Sequence, residues 1–186
     1  MREFGSSSLS LAGSLLIAHP GLLDPNFRRT VIFISAHDPE DGSFGLVLNR
    51  PADRIVSELL PDREMGALGD VPVYIGGPVA GDQLTFASFL WNEEEERLEC
   101  RHHIDVDEAE ELIAGKKAVV RAFVGYAGWT KGQLESELAQ KAWLLRKPEG
   151  DIMDGEAGDQ MWRDLMAEFG PWFRIVAEAP EDPSLN

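Results

Sequence analysis

A single cysteine, Cys100, stands among 186 residues. No intramolecular disulfide can form, so the disulfide-stapled secreted scaffolds are excluded. The lone thiol suits a reducing compartment and a half-buried strand position, because free cysteines behave as small hydrophobes. Long apolar runs are missing too. The longest candidate, residues 9–18 (LSLAGSLLIA), is interrupted by two serines and is far too short to cross a bilayer. It does not read as a signal peptide: Glu3 offsets Arg2, and His19-Pro20 follows where a small-residue cleavage site would be needed. A cytoplasmic location without membrane association is expected. Basic residues are scarce, 17 Lys and Arg against 33 Asp and Glu, for a net charge of −16. Such a surface repels phosphate backbones and anionic lipids. No helix-turn-helix pattern with a basic recognition helix is present, so direct duplex DNA binding is disfavoured.

Catalytic and cofactor signatures are equally sparse. There is no Gly-x-Ser-x-Gly elbow, no cysteine–histidine pairing, no Walker loop and no dinucleotide fingerprint. Of the four histidines, His102 and His103 are adjacent on a strand and should face opposite ways. His19 and His37 fall near strand ends but offer too few convergent ligands for zinc. Neither a metal nor a cofactor is implied.

What the chain does have is core-forming material, 44% hydrophobic residues in one domain's length. Residues 13–19, 30–36, 44–49, 72–75, 84–91, 98–104, 118–126 and 142–146 read as strands from their apolar and β-branched content. Pro51 should stop strand pairing, and Asp53 should cap a short helix. Asp105 should cap a second helix, Thr130 a third running to about residue 140, and 160–169 form another. Residues 151–158 read as flexible, and 172–177 as strand or irregular. Strands outnumber helices and several links are hairpin-short. An α+β fold is expected: a single compact domain over 9–179 with a mixed, largely antiparallel β-sheet flanked by several short helices, a disordered leader at 1–8 and a disordered tail at 180–186. Residues 93–115 hold ten acids and two bases, half of the net charge, and should form an exposed acidic edge open to a basic partner.

Four polar constellations stand out. His19, Pro20, Asp24, Phe27, Arg28 and Arg29 share one loop between buried strands. Asp24 can cap a one-turn helix beginning at Pro25, or join a site with His19 and Arg28. Asn49-Arg50-Pro51 ends a strand. Asn49 can orient a ligand and Arg50 clamp a carboxylate or phosphate, or both can serve the turn. Gly76-Gly77-Pro78 is either an anion-binding backbone nest or a sharp turn. The richest stretch is GYAGWTKGQ at 125–133. There Gly128 is expected in a conformation that side chains tolerate poorly, and Thr130 and Gln133 fit a capping box. With Trp129 and Lys131 alongside, the helix start could receive an anion.

Four segments together resemble the YqgE/AlgH family: GSLLIAHPGLLDPNFRRTV at 13–31, GLVLNRP at 45–51, VYIGGPV at 73–79, and GYAGWTKGQLESEL at 125–138 with Trp143. In order and spacing they cover most of the chain. The resemblance implies a compact α+β bacterial cytoplasmic protein, of a family often labelled transcriptional regulators, with no agreed catalytic residue to carry over. The chain departs from the family pattern at 85–89 (TFASF), where many members carry a histidine. The functional expectation is a binding or regulatory module acting through a protein partner or small anionic ligand. An enzyme on a phosphate or carboxylate compound, with His19 or Asp24 as base and Arg50 as clamp, ranks second, and direct DNA binding third.

Overall fold

The described residues of the computed structural model are 10–155 and 157–180. The expected leader at 1–8 and the tail beyond Pro180 fall outside them. Strand β1 (Leu15–Ala18) lies between β2 (Val31–Asp38) and β9 (Trp143–Arg146), antiparallel to both. All four of its residues are buried. Because side chains alternate across a strand, Leu15 and Ile17 face one core and Leu16 and Ala18 the other. That explains the unbroken apolar run: both faces are covered. The first core contains Phe33, Phe89, Phe123 and Trp162, the last from α4 (Asp159–Ala167). The second is closed by Leu134 of α3 (Gln133–Ala139) and by Trp129 and Trp143.

The sheet is organised by β8 (Val119–Trp129). It pairs in parallel with β5 (Pro72–Ile75) up to Val124 and antiparallel with β6 (Val79–Asn92) up to Tyr126. From Ala127 it pairs with β3 (Gly42–Val47), the hairpin partner of β2. Gly125 sits at this change of partners with φ +71. The backbone at Gly76-Gly77 passes so close that a Cβ on Gly77 would lie 2.1 Å from the Tyr126 carbonyl carbon, and one on Gly125 2.3 Å from the Gly77 oxygen. Only glycine fits such a crossing. Among the described residues β5–β8 is the single parallel pairing, so the nine strands form the expected mixed, largely antiparallel sheet, curled into a half-barrel with five helices. The edge strand β7 (Arg97–Ile104) pairs with β6 after the exposed turn Glu93 to Glu96. Asp105 then caps α2 (Val106–Ala114), accepting the Glu108 N–H at 2.8 Å.

Several local expectations are overturned. Pro51 does not end pairing: it opens β4 (Pro51–Ile55), an edge strand where a missing N–H is tolerated. Asp53 lies inside that strand with φ +53 and caps nothing; α1 (Val56–Leu59) begins after Ile55, whose N–H donates to Glu58. Strand β8 runs through residues 125–129, so the turn into α3 comes later, at Gly132 with φ +72. Gly128 is an ordinary strand residue paired with Phe44, and a Cβ there would meet the Tyr126 ring at 3.3 Å and the Ser43 carbonyl oxygen at 4.0 Å, with no backbone clash. Half of the capping box forms: the Gln133 side chain accepts the Thr130 N–H at 3.1 Å, while the Thr130 hydroxyl turns to that same side chain instead of the helix. Residues 151–155 are anchored by buried Ile152 and Met153. The segment expected as strand or irregular is α5 (Pro171–Glu178), where Pro171 at the first position after Gly170 outweighs the β-branched pair Ile175-Val176. His102 and His103 do not face opposite ways. His103 takes φ +57 beside a bulge, and both rings contact Phe44.

Candidate functional site

The loop from β1 to β2 is built by its own polar groups. The His19 N–H donates to the Ala142 carbonyl at 2.9 Å, and its Nδ1 accepts the Gly21 N–H at 3.0 Å. Asp24 starts a helical turn: its carboxylate accepts the Asn26 N–H at 2.8 Å and its carbonyl the N–H groups of Phe27 and Arg28. Arg29 then turns back in the left-handed region, φ +54, into buried Thr30.

Asn49 and Arg50 hold this loop from the end of the β3 run. Asn49, 2% exposed, accepts the Val31 N–H at 2.8 Å and donates to the carbonyls of Arg29 at 2.9 Å and Gly158 at 3.1 Å. The Arg50 guanidinium donates to the carbonyls of Pro25, Asn26 and Arg28. Both residues therefore fasten the turn begun by Asp24. Phe27 is fixed from the other side, stacked on Trp129 and edge-on to Trp143. Those two indoles share one acceptor, Glu137 Oε2, at 2.9 and 2.8 Å, so α3 is tied to the sheet as the tryptophans' polar edges require.

So braced, the loop presents His19, Arg28 and Arg29 to a cavity of about 160 Å³. Trp162 of α4 and Val176 and Ala179 of the α5 end close it. The Arg29 guanidinium lies 5.1 Å from the Trp162 ring centroid, donates to the Ala179 carbonyl at 2.7 Å, and meets exposed Asp159 at 3.3 Å. A cation over an indole contributes about 0.5–1 kcal/mol near a surface, and an exposed ion pair no more than that. Trp162 is itself fixed by donating to the Ala18 carbonyl at 2.9 Å. None of the described residues that line the cavity is acidic.

The other sequence candidates lie elsewhere. The Gly76 N–H is taken by the Val124 carbonyl at 2.9 Å, and Gly77 is pressed on β8, so this pair forms the strand crossing. Gly128 and Trp129 belong to the end of β8, Thr130 follows it, and Lys131 pairs with Glu40 of the β2–β3 turn. His37 forms a chain of its own: Nδ1 lies 2.8 Å from Ser43 Oγ and Nε2 3.3 Å from Glu135 on α3. The open groove there of about 320 Å³ is also lined by Asp38 and Asp41, which oppose any developing oxyanion, so the chain latches α3 to the hairpin. Cys100 is near Ser35, and burial pushes its thiol up to about 11. Among the described residues no three His, Cys, Asp or Glu side chains are grouped to hold a metal.

Of the residues singled out from the sequence as ligand contacts, His19 and Arg28 line the cavity, whereas Asp24, Asn49, Arg50, Gly76, Gly77, Gly128, Trp129, Thr130 and Lys131 do not; Arg29, Trp162 and the α5 end are not among those candidates. The Arg28-Arg29 doublet was the available signal for Arg29; nothing local points from residue 29 to residue 162.

An AlgH-like family model, DUF179, matches residues 15–174, which hold the sheet, the braced loop and the first half of α5. The chain belongs to the AlgH-like family. A UPF0301 protein of Streptomyces coelicolor is 38% identical, with 95% of this chain and 96% of that one covered. One from Mycobacterium leprae is 35% identical over 94% and 90%. The solution structure of AlgH from Pseudomonas aeruginosa matches with a TM-score of 0.67 at 28% identity, covering 98% of this chain and all of that one. The crystal structure of DIP2367 from Corynebacterium diphtheriae, at 23% identity and a TM-score of 0.66, shares the fold over 90% of this AlgH-like chain and 92% of its own.

Proposed function

We propose that this AlgH-like protein is a binding module that takes a small anion, a phosphate or a carboxylate, in the cavity between the β1–β2 loop and α5. One observation carries the reading. In a chain of net charge −16, two guanidinium-bearing residues and an imidazole converge on one cavity. An arginine presents a planar fork that suits both oxyanions. Arg29 is already oriented by Trp162 and Ala179, which lowers the ordering cost of binding. A volume near 160 Å³ suits a headgroup or a compact metabolite, well below the size of a drug-like pocket. A cytoplasmic setting belongs to the same reading, since one unpaired thiol suits a reducing compartment. Direct duplex DNA binding stays disfavoured, because the surrounding acidic surface opposes phosphate contact.

Calorimetric titration at low ionic strength tests this. Wild type should bind inorganic phosphate or succinate saturably, and Arg28→Ala should weaken the binding at least tenfold. Glucose, as a neutral control, should give no signal. Absence of saturable anion binding below about 10 mM, a free energy of only about 3 kcal/mol, would overturn the proposal.

A further inference from the structure

Among the described residues, two serine hydroxyls lie within hydrogen-bond distance of an imidazole nitrogen. Ser43 meets His37 in the acidic groove already described. Ser35 meets His102 elsewhere, its Oγ 2.6 Å from Nδ1. The second pair joins β2 to β7, strands that are not neighbours in the sheet, and each strand bulges where they meet. In β2, Ile34 pairs with Gly45 and Ala36 with Phe44, so Ser35 is the extra residue. In β7, His102 pairs with Ala87 and Ile104 with Phe86, so His103 is the extra one, held at φ +57. Bulges re-aim side chains and recur beside active sites, and left-handed backbone at a residue other than glycine is strain of the kind found there. Here two separate bulges converge on one hydroxyl–imidazole contact.

The surroundings suit proton transfer. The His102 ring is stacked on Phe44, centroids 4.6 Å apart, which fixes its plane. Burial, with His103 beside it, holds its pKa below the usual 6.5, so at pH 7 it is a neutral acceptor. Cys100 Sγ lies 3.7 Å from the same hydroxyl, but its thiol is pushed up to about 11 and stays protonated, so it does not compete for the Ser35 proton. Ser35 is half-buried and lines a groove of about 350 Å³ together with Gly13, Phe33 and Leu98. Arg97 and Arg101 line it too, but Arg97 is paired with Glu95 and Glu99 and Arg101 with Glu108, so the groove suits an uncharged substrate better than an anion. From this geometry we infer that Ser35 is a nucleophile with His102 as its base, and that the groove takes a small uncharged carboxylic ester. Ser35 Oγ attacks the ester carbonyl carbon and its proton passes to His102 Nδ1. The bond to the leaving alcohol breaks, and the alcohol departs with that proton. Water, deprotonated by the same imidazole, then cleaves the acyl-serine, releasing the acid and restoring the hydroxyl. This activity is separate from anion binding at the β1–β2 loop, and neither depends on the other.

The experiment treats the full-length protein with p-nitrophenyl acetate and, separately, with a fluorophosphonate, and locates adducts by peptide mass spectrometry. The inference expects both reagents on Ser35 and neither on Ser43, whose groove is lined by Asp38 and Asp41. Release of p-nitrophenol should be faster with wild type than with Ser35→Ala. His102→Gln should slow labelling of Ser35 by about a hundredfold, a usual share for a general base. Wild type unfolded in urea supplies the rate of the same hydroxyl without its base, so the comparison holds even where His102→Gln fails to fold. Ser35 unlabelled in folded wild type, or labelled no faster than in urea, overturns the inference. Labelling at an unchanged rate in folded His102→Gln also overturns it, and makes the contact a strap between β2 and β7. Adducts confined to Ser43 or to surface lysines count against it equally.

Discussion

Asn49 gives the sharpest test of how the site is built. Its side chain is 2% exposed and makes three hydrogen bonds, two donated to carbonyls on either side of the cavity loop and one accepted from β2. Each such bond contributes about 1 kcal/mol net, and the groups left behind are buried. Asn49→Ala should therefore cost about 3–5 kcal/mol. For a chain of this size 1 kcal/mol corresponds to about 2–4 °C, so Tm should fall by about 6 °C or more. Asn49→Asp is nearly isosteric and keeps the acceptor for Val31. It replaces the two donated bonds with a carboxylate oxygen facing two carbonyl oxygens, so at pH 7 it should be at least as damaging as alanine. Protonation restores one donor, so the Asp variant, unlike the Ala variant, should recover part of its deficit as pH falls toward 4. Urea unfolding followed by tryptophan fluorescence reads all three proteins. An alanine variant within 1 kcal/mol of wild type, or a neutral Asp variant at pH 7, would refute the clamp and return Asn49 to the role of a ligand contact.

At the strand crossing, Gly77→Ala and Gly125→Ala should each prevent stable folding, because a Cβ would sit 2.1–2.3 Å from backbone atoms, whereas Gly128→Ala should cost little; circular-dichroism melts that rank Gly128 with the other two would contradict the crossing. Cys100, with its thiol pushed up to about 11 by burial, should resist iodoacetamide at pH 8 in the folded protein and react readily in urea, and equal rates in both would disprove its sequestration. Burial, with His103 nearby, holds the His102 pKa below its usual 6.5. The unfolded chain therefore binds that proton first as pH drops, and stability should decline from about pH 6.5 downward. His102→Gln should flatten that segment of the stability–pH curve, and an unchanged slope would show that His102 does not carry it.

Much of the frame was readable from residue types. The β-branched run TVIFISA at 30–36 supplies most of β2, which runs two residues further to Asp38, and Asp105 caps α2 as its position suggested. Where reading failed, a tertiary partner had overridden local chemistry. Pro51 is tolerated because β4 is an edge. Glycines 76, 77 and 125 interlock across 48 residues, which no local window reveals, whereas Gly128, in a glycine-rich stretch, carries no such constraint. Helix α5 combines a helix start at Gly170-Pro171 with residues of β propensity, and only packing on α4 decides between them. The cavity inherits that blind spot. His19 and Arg28 were visible in their loop, while the wall facing them comes from the far end of the chain.

The placement of β1 between β2 and β9 bears on how the protein is made. Leu15 pairs with Phe33 on one side and Arg146 on the other, and the Ala18 carbonyl receives the Trp162 indole N–H. A ribosome adding about 5–20 residues per second delivers Arg146 roughly 7–26 s after Leu15. Throughout that interval the outer edge of Leu-Leu-Ile-Ala is an unpaired, wholly apolar strand border, the kind of border that recruits other chains. β1 is thus among the last of the described strands to be fully enclosed. Vectorial synthesis cannot yield a settled N-terminal half, and nascent chains halted before residue 143 should be the species most prone to aggregate.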